Sequence, residues 1–457
     1  MTTPAAHGAD LHTLAGELIG HTAWSAQRLA EHQRERLTAL LRHAVTASTY
    51  YRRVLGPDAA DAPLDQLPTL SKATLMEQFD DIVTDRRIRR SALHAHLAGP
   101  HATQPLSGYV VLSTSGSTGT PAVFVYSPAE LAYAVAGLTR AMAVFGVTPS
   151  TRLVGIGAPS AIHISRHLVA GLRARRASQA PRLAVTTPIP QIVAELNAYQ
   201  PEALATNASV AALLAEEQLA SRLRIRPQIV ACTGEVLSED MRARISDAWR
   251  IEPHEFYATT EAAVLASTSP RQIGLHLWED QTLVEVVDAA DRPVPPGVPG
   301  HKVLVTNLVN RVQPLIRYEI SDSVTVGGGV DPAGWPFRRI AAVEGRSDDI
   351  VDLAAAGGGT MAVHPLHLRA PFAAFPEVVQ YQVVHDERGL SVSVVLRPGT
   401  PSDIAQRVRG ALAHQLSDNG AVPPPIIVTP VPRIDRESGH SAKFTAVKSL
   451  QRPPGHR

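Results

Sequence analysis

Two hydrophobic periodicities alternate along the chain, one typical of helices and one typical of strands. Near the N-terminus, apolar residues recur at helical spacing, at Leu29, Leu37, Leu40, Leu41 and Val45. This stripe predicts an amphipathic helix that packs on the main domain. From about residue 109, short β-branched runs such as "RLVGIGA" and "PQIVACT" alternate with helical stretches such as "PIPQIVAELNAYQ". This alternation predicts βαβ units and a mostly parallel sheet.

The pattern changes to consecutive strands at about residues 273–345, where proline and glycine turns separate runs such as "TLVEVVD" and "HKVLVTNL". Such a stretch predicts a small barrel or antiparallel sheet. The tail that follows predicts a small α+β domain, hinged near residues 345–349. We therefore expect an α/β protein with a large N-terminal domain (1–345), mostly parallel sheets and a β-barrel-like part. We also expect a small, mobile C-terminal α+β domain (346–457).

Charge and composition exclude several classes of protein. The formal net charge is +1, so no excess charge points to a nucleic-acid or membrane partner. Cys232 is the only cysteine, which excludes an intramolecular disulfide and disfavours a cysteine-ligated metal. The first residues lack a basic start followed by an apolar run, and no apolar stretch approaches the roughly 20 residues of a membrane span. We expect a cytoplasmic protein; its oligomeric state stays open, with a homodimer as one option.

Hydroxyl groups and glycines are concentrated in "VLSTSGSTGTPAVFVYS", residues 111–127. Glycines with positive φ let backbone N–H groups surround an anion, and the hydroxyls add donors. A Walker A loop would continue with Lys and Ser or Thr and then a helix, whereas Thr120-Pro121-Ala122 leads into a strand. The residues themselves leave two interpretations open: a phosphate loop within a β-hairpin, or a polar turn.

Five motifs occur in a fixed order: "STSGSTGTP", "FYATTEAA", "LIRYEISD", "GRSDD" and "SAKFTAVK". Together they resemble the adenylate-forming superfamily of acyl- and aryl-CoA synthetases, luciferases and peptide-synthetase adenylation domains. The segments "GLHLWEDQTLVEVVD" and "VLVTNLVNRVQPLIRYEISD" are most similar to the phenylacetate-CoA ligase-like branch. The resemblance covers about residues 30–450, and the order of the motifs is more specific than any one of them.

The resemblance implies an ATP site built from three segments. The phosphates would be held by Thr114, Ser115, Gly116, Ser117, Thr118 and Gly119. Adenine would lie along the turn Gly234, Glu235 and Val236, for which a simple strand-to-helix turn is the alternative. Tyr257 would stack on adenine, followed in the same motif by Ala258 and Thr259.

The resemblance also implies which residues act on the phosphate and the ribose. Thr260 would contact the α-phosphate, and Glu261 would bind Mg²⁺, which prefers a few hard oxygen ligands; from the residues alone, Glu261 is a surface acid at a helix N-terminus. Asp322 would bind the ribose hydroxyls with help from Arg346. Two further residues belong to the C-terminal motifs. Asp348 would be the hinge, with a solvated charge cluster as the alternative for "GRSDD", and Lys443 would reach the acid and the α-phosphate.

The sequence departs from the superfamily pattern at several places. Ala122 stands where many members have a lysine, and Ser321 precedes Asp322 where a glycine is usual. The stretches that carry cysteines in some relatives have none here, so we expect no zinc. By resemblance, the acid would bind near His163, Arg166, His167 and Asn207, although a solvated helix face explains the first three equally well.

These residues lead to one main function and several alternatives. The main expectation is ATP-dependent adenylation of a carboxylic acid, expected to be aromatic, with release of pyrophosphate and transfer to coenzyme A. ATP, Mg²⁺ and coenzyme A would then be required. The same adenylation with another acceptor would give an amide ligase, or a diazo-forming enzyme that activates nitrite for an aryl amine. A non-catalytic nucleotide-binding module is the remaining alternative; Ala122 and Ser321 favour it, and the presence of Glu261, Asp322 and Lys443 opposes it.

Overall fold

A computed structural model gives the fold of this 457-residue chain. It describes residues 11–114, 122–159, 162–174, 180–270, 274–328, 334–346, 351–363, 365–375, 377–435 and 445–450. No helix within these ranges is long and apolar enough to cross a bilayer.

The described helices precede, connect and flank the strands. They are α1 (Leu11–Gly20), α2 (Ala26–Ala47), α3 (Thr49–Leu55), α4 (Lys72–Glu77), α5 (Phe79–Ile82), α6 (Arg90–Ala98), α7 (Pro128–Val144), α8 (Ile164–Ala174), α9 (Ile189–Tyr199), α10 (Ala208–Leu219), α11 (Glu239–Trp249), α12 (Pro365–Arg369) and α13 (Ile404–Asp418).

The described strands form five sheets. They are β1 (Val110–Ser113), β2 (Val123–Tyr126), β3 (Leu153–Gly157), β4 (Leu183–Ala184), β5 (Ala203–Asn207), β6 (Ile229–Thr233), β7 (His254–Thr259), β8 (Ala263–Thr268), β9 (Leu275–Leu277), β10 (Thr282–Val287), β11 (Lys302–Asn307), β12 (Tyr318–Ile320), β13 (Asp322–Val326), β14 (Arg339–Arg346), β15 (Val351–Ala354), β16 (Thr360–Val363), β17 (Val378–Asp386), β18 (Gly389–Leu396), β19 (Ile426–Pro430) and β20 (Val447–Ser449).

A nine-stranded sheet in the order β13-β14-β9-β8-β7-β6-β5-β3-β4 is the main element of the fold. Strands β4, β3, β5, β6 and β7 run parallel, because helices α8 to α11 return the chain to the same edge after each strand. Val154, Leu204 and Val230 in these strands are fully buried, as expected for a sheet covered on both faces. The remaining strands pair antiparallel. The prediction of a mixed α/β fold is confirmed.

The strand-rich stretch at about 273–345 is divided between two sheets. Strands β10, β11 and β12 form an antiparallel sheet of their own, whereas β9, β13 and β14 extend the nine-stranded sheet. The two sheets are joined by a hydrogen bond of 2.7 Å from the Ser323 hydroxyl to the Gly300 carbonyl oxygen. A separate hairpin, β1–β2, carries the glycine-rich loop.

The amphipathic helix predicted near the N-terminus is confirmed as α2. The Ser25 hydroxyl caps it by accepting a hydrogen bond of 3.1 Å from the Arg28 backbone N–H. Leu29, Leu40 and Leu41 are buried against the main hydrophobic core. The apolar stripe therefore sets the orientation of this helix on the core.

The segment from residue 351 to 447 has a hydrophobic core of its own. Strands β17 and β18 form a long antiparallel hairpin, with β19 and β20 added in parallel at its two sides. Helix α13 packs on this sheet through residues such as Val408 and Leu412, which are fully buried together with Val383 of β17. Such a core is typical of a unit that can fold separately.

A buried ion pair connects helix α7 to the turn before β10, and His21, which follows α1, contacts the same pair. Nη1 of Arg140 in α7 lies 2.6 Å from Oδ2 of Asp280, and both side chains are inaccessible to solvent. Nδ1 of His21 lies 2.7 Å from the same oxygen. The Arg140 guanidinium also stacks 3.8 Å from the centre of the Trp278 ring. The arginine therefore depends on one carboxylate for its neutralisation.

We predict that Asp280→Asn lowers the free energy of unfolding by about 3–5 kcal/mol, because it leaves the Arg140 guanidinium buried without a counter-ion. Urea unfolding followed by circular dichroism measures this loss. Asp288→Asn is the matched control, since it removes an exposed pair with Arg292 at 2.7 Å and should cost at most about 1 kcal/mol. Equal losses in the two variants would contradict the buried-pair argument.

Candidate active site

The carboxyl ends of three parallel strands place separate sequence motifs at one edge of the sheet. Residue Asn207 at the end of β5 pairs in register with Thr233 at the end of β6. Strand β6 pairs in turn with β7 through Cys232 and Glu255. The "TGEVL" turn after β6 and the "YATTE" motif at the end of β7 therefore lie at the same edge. Ligands of open α/β sheets bind at such an edge.

The turn after β6 is fixed to the start of α10 by one carboxylate. Glu235 accepts hydrogen bonds of 3.0 Å from the Asn207 side-chain amide and 3.0 Å from the Ser209 backbone N–H. Negative charge is stabilising at this end of a helix. Gly234 has φ +75°, a conformation that glycine adopts without strain. The structure thus joins Asn207 and Glu235, which the sequence had assigned to the acid pocket and the adenine pocket respectively.

The residues predicted for the adenine and the ribose are adjacent. The Tyr257 hydroxyl donates a hydrogen bond of 2.5 Å to Oδ2 of Asp322, the first residue of β13. Asp322 faces Arg346, the last residue of β14, across the antiparallel ladder. Three residues from three separate motifs are therefore brought together by strand pairing and one hydrogen bond.

The turn between β7 and β8 carries Thr260 and Glu261 and is held through its backbone. The Tyr126 hydroxyl donates to the Thr260 carbonyl oxygen at 2.7 Å, and the Asn307 amide donates to the Glu261 carbonyl oxygen at 3.1 Å. Burial raises the pKa of Tyr126, which keeps its hydroxyl protonated as a donor. Ala263, directly after the turn, has φ +57°, a strained value for a residue with a Cβ atom.

Sequence reasoning missed Tyr126 and Asn307. Both side chains donate hydrogen bonds to backbone carbonyl oxygens. Any residue type supplies such an acceptor, so these contacts produce no recognisable sequence motif. Both also line a small cavity of about 20 Å³ beside the turn, together with Glu130, Tyr133, Gln281 and Asn310. The only available signal was a polar residue at the end of each of two buried strands.

The base of the glycine-rich loop is closed by two hydrogen bonds. The Thr114 N–H donates to the Ala122 carbonyl oxygen, and the Ala122 N–H donates to the Thr114 hydroxyl, both at 3.0 Å. The Ser113 N–H binds the Ile162 carbonyl oxygen at 2.9 Å, which places the start of α8 beside the loop. The predicted phosphate-binding residues Ser115, Gly116, Ser117, Thr118 and Gly119 lie outside the described residues, as do Asp348 and Lys443.

Helix α8, which carries Arg166 and His167 of the predicted acid pocket, packs closely on its neighbours. A Cβ atom at Gly171 would lie 2.6 Å from Cγ1 of Val135, and one at Gly155 would lie 2.9 Å from Cγ1 of Val169. Glycine is therefore required at both close approaches. His163 before the helix is buried, whereas Arg166 and His167 in its first turn are half-buried.

The pKa of one carboxyl group in β7 is raised. Burial raises the pKa of Glu255 to about 7, and Arg242, whose Nη2 lies 3.4 Å from Oε2, lowers it in part. Glu255 lies two positions before Tyr257, and therefore on the same face of the strand.

Comparisons with known proteins give the family of this chain. The sequence model of the AMP-binding enzyme family matches residues 26–306. The chain belongs to this family. It is accordingly an ATP-dependent, AMP-forming ligase, and the resemblance stated from the motifs is confirmed.

Two relatives are coenzyme A ligases. A phenylacetate-coenzyme A ligase of Thermus thermophilus is 24% identical over 379 residues, 79% of each chain. The crystal structure of a 2-hydroxyisobutyryl-CoA ligase in the postadenylation state, in complex with R3-HIB-AMP, gives a TM-score of 0.75 at 19% identity over 95% of this chain and 91% of that one. The same ligase in the thioesterification state, in complex with 2-HIB-AMP and CoA, gives a TM-score of 0.60 at 20% identity over 94% and 91%.

We predict that Tyr257→Phe weakens ATP binding about tenfold, because it keeps the ring but removes the hydrogen bond that orients the Asp322 carboxylate. Isothermal titration calorimetry with ATP measures the change. Tyr109→Phe is a matched control, because it removes a hydrogen bond of 2.6 Å from the Tyr109 hydroxyl to the Asp85 carboxylate. Tyr109 precedes β1, at the end of this strand away from the glycine-rich loop. Equal effects of the two substitutions would refute a local role for Tyr257.

We predict that Glu255→Gln changes the pH dependence of stability. Since the pKa of Glu255 is about 7 in the folded protein against 4.5 ordinarily, the folded state binds more protons in this window. The unfolding free energy of the parent protein should therefore fall as pH rises from about 4.5 to about 7. The variant should lack this fall and gain up to about 3 kcal/mol at pH 8. Urea unfolding at several pH values tests this; Glu252→Gln, which removes another partner of Arg242, should keep the parent's slope.

Proposed function

We propose that this ligase adenylates a carboxylic acid with ATP and then transfers the acyl group to coenzyme A. The observation that carries the proposal is the contact between Tyr257 and Asp322 at the carboxyl edge of the sheet, beside the Gly234-Glu235 turn. A flat aromatic ring and a carboxylate in contact fit adenine and the ribose hydroxyls. The relatives reported above support coenzyme A as the acceptor, and the phenylacetate-coenzyme A ligase supports an aromatic acid.

The first half-reaction requires charge stabilisation at the α-phosphate. A carboxylate oxygen of the acid attacks the α-phosphorus, and the bond from that phosphorus to pyrophosphate breaks. Thr260, on the turn that Tyr126 fixes, would donate to the α-phosphate oxygen. Lys443 would balance the charge that forms between acid and phosphate. Positioning contributes most, because phosphoryl groups need little covalent assistance.

The described residues fit a magnesium ion that is held mainly by the nucleotide. Among them, no group of three histidine, cysteine or acidic side chains could hold a metal. Mg²⁺ commonly takes one or two protein carboxylates and completes its shell with phosphate oxygens and water. Glu261, on a turn fixed by the Asn307 amide, would supply that carboxylate. Bound there, the ion would neutralise phosphate charge.

The second half-reaction would use a different position of the C-terminal domain. We propose that residues 346–457 swing about Asp348 after adenylation, so that Lys443 leaves the site. The coenzyme A sulfur then attacks the acyl carbon, and the bond from that carbon to the AMP oxygen breaks. Residues His163, Arg166 and His167, with Asn207, would form one wall of the acid pocket.

We predict acid-dependent ATP–pyrophosphate exchange with one class in a panel of phenylacetate, benzoates, hydroxy- and aminobenzoates, 2-hydroxyisobutyrate, fatty acids and nitrite. The expected class is an aryl acid, and mass spectrometry should then detect its coenzyme A thioester. Lys443→Ala should lower exchange at least about 100-fold while sparing thioester formation from supplied acyl-adenylate, because it removes charge stabilisation from the first step alone.

The results divide the alternatives clearly. Exchange without any thioester, but with product formation from an amine, would refute transfer to coenzyme A and favour an amide ligase. Exchange with nitrite alone would favour the diazo-forming reaction. ATP binding without exchange on the whole panel would contradict the proposed activity. Equal loss of both half-reactions in Lys443→Ala would remove the assigned role of that lysine.

A further inference from the structure

A charged cluster links the N-terminal part of the chain to the segment beyond residue 346. Glu216, near the end of α10, accepts a hydrogen bond of 2.5 Å on Oε1 from Nη2 of Arg397, which follows β18. The same oxygen lies 3.7 Å from Nη1 of Arg244 in α11. That Nη1 donates to the carbonyl oxygen of Val379 in β17 at 2.5 Å. We call this cluster the Arg244–Glu216–Arg397 bridge.

Arg244 and Arg397, at the two ends of the bridge, each have a further contact within their own part of the chain. Arg244 also pairs with Asp240, one turn earlier in α11. The backbone N–H of Arg397 donates to the Glu377 carbonyl oxygen at 2.9 Å. The Glu216 and Arg244 side chains are only 13% and 12% exposed, and that of Arg397 is 38% exposed. Salt screens such a contact less than it screens an exposed ion pair.

The bridge is remote from the nucleotide edge but rigidly connected to it. Helix α10 begins directly after Asn207, and Glu216 lies nine residues further on, about 13 Å along the helix axis. The bridge therefore has no direct contact with reacting atoms at that edge. Its effect on the reaction must pass through the orientation of the C-terminal segment.

The orientation in which the bridge forms resembles one of two states seen in a related ligase. Two structures of the same 2-hydroxyisobutyryl-CoA ligase differ in state, and this chain fits the postadenylation state better than the thioesterification state, with TM-scores of 0.75 and 0.60 at nearly equal coverage. The contacts from Glu216 to Arg397 and from Arg244 to Val379 thus occur in an arrangement closer to the postadenylation state than to the thioesterification state.

We propose that Glu216 and Arg397 are positioning residues that hold the C-terminal domain in the orientation that precedes acyl transfer, and that they must separate before that step. The proposal rests on the proposed two-step function. Loss of the bridge lowers the fraction of molecules poised for adenylation. Loss of the bridge does not change the residues that take part in acyl transfer.

The orientation can be measured without any substrate. Fluorescent labels placed by Glu35→Cys in α2 and Ser417→Cys in α13 report the distance between the two parts by single-molecule energy transfer. Cys232 is fully buried and does not compete for the label. Arg397→Gln and Glu216→Gln should each shift the distance distribution away from that of the parent, and Arg397→Lys should largely keep it. Arg222→Gln, which breaks a pair of 2.6 Å with Glu217 within the N-terminal part, is the control and should shift nothing.

Kinetics provide the second measurement. Each glutamine variant should lower ATP–pyrophosphate exchange about fivefold, the effect expected of losing one partly exposed pair. Neither should slow thioester formation from supplied acyl-adenylate. The double variant should match the single ones, because the two residues act through each other.

Several outcomes would overturn the proposal. An unchanged distance distribution in both glutamine variants would do so, as would multiplying effects in the double variant or equal loss of both half-reactions. If the parent protein shows no exchange with any acid, the proposed function fails. The distance distributions then still decide whether the bridge sets the orientation.

Discussion

Strand β7 is the constraint on which the candidate site depends, because the sheet changes from parallel to antiparallel at this strand. It pairs parallel with β6 on one side and antiparallel with β8 on the other. The chain must therefore reverse at the carboxyl end of β7, and this reversal places Thr260 and Glu261 at the edge where β5 and β6 also end. A parallel continuation would have carried the chain away from this edge through another helix.

The hydrogen bonds around this reversal give the edge a fixed shape. Glu235 joins the end of β5 to the turn after β6, and Tyr257 joins β7 to Asp322 on a strand 65 residues later. The antiparallel half of the sheet is thus needed to bring Asp322 to the site, although the parallel half forms the edge. The mixed topology would allow both halves of the sheet to contact one nucleotide in the proposed site.

The sequence predicts those features whose signal is local. The helix α2 follows from its apolar stripe, and the parallel strands follow from their alternation with helices. The order of the motifs indicates the family, because several short patterns must agree. The partners of β9, β13 and β14 could not be predicted, since an alternating strand carries no information on whether it joins a near or a distant sheet. For the same reason, the sequence could not show that Asp322 and Arg346 face each other in the candidate site. Only the register of β13 and β14 shows this pairing.

Ala122 illustrates how packing bears on a departure from the family pattern. It is 1% exposed, and its N–H and carbonyl groups both close the loop with Thr114. A lysine in this environment would have to bury its methylene groups and direct its ammonium back towards the loop, at a large desolvation cost unless a phosphate were bound. In the proposed reaction, the charge on the departing pyrophosphate would therefore be balanced by backbone N–H groups and Mg²⁺, without a lysine at position 122. Lys443, which would act at the acid and the α-phosphate, lies in the C-terminal domain. The proposed adenylation step would thus depend on the orientation of that domain.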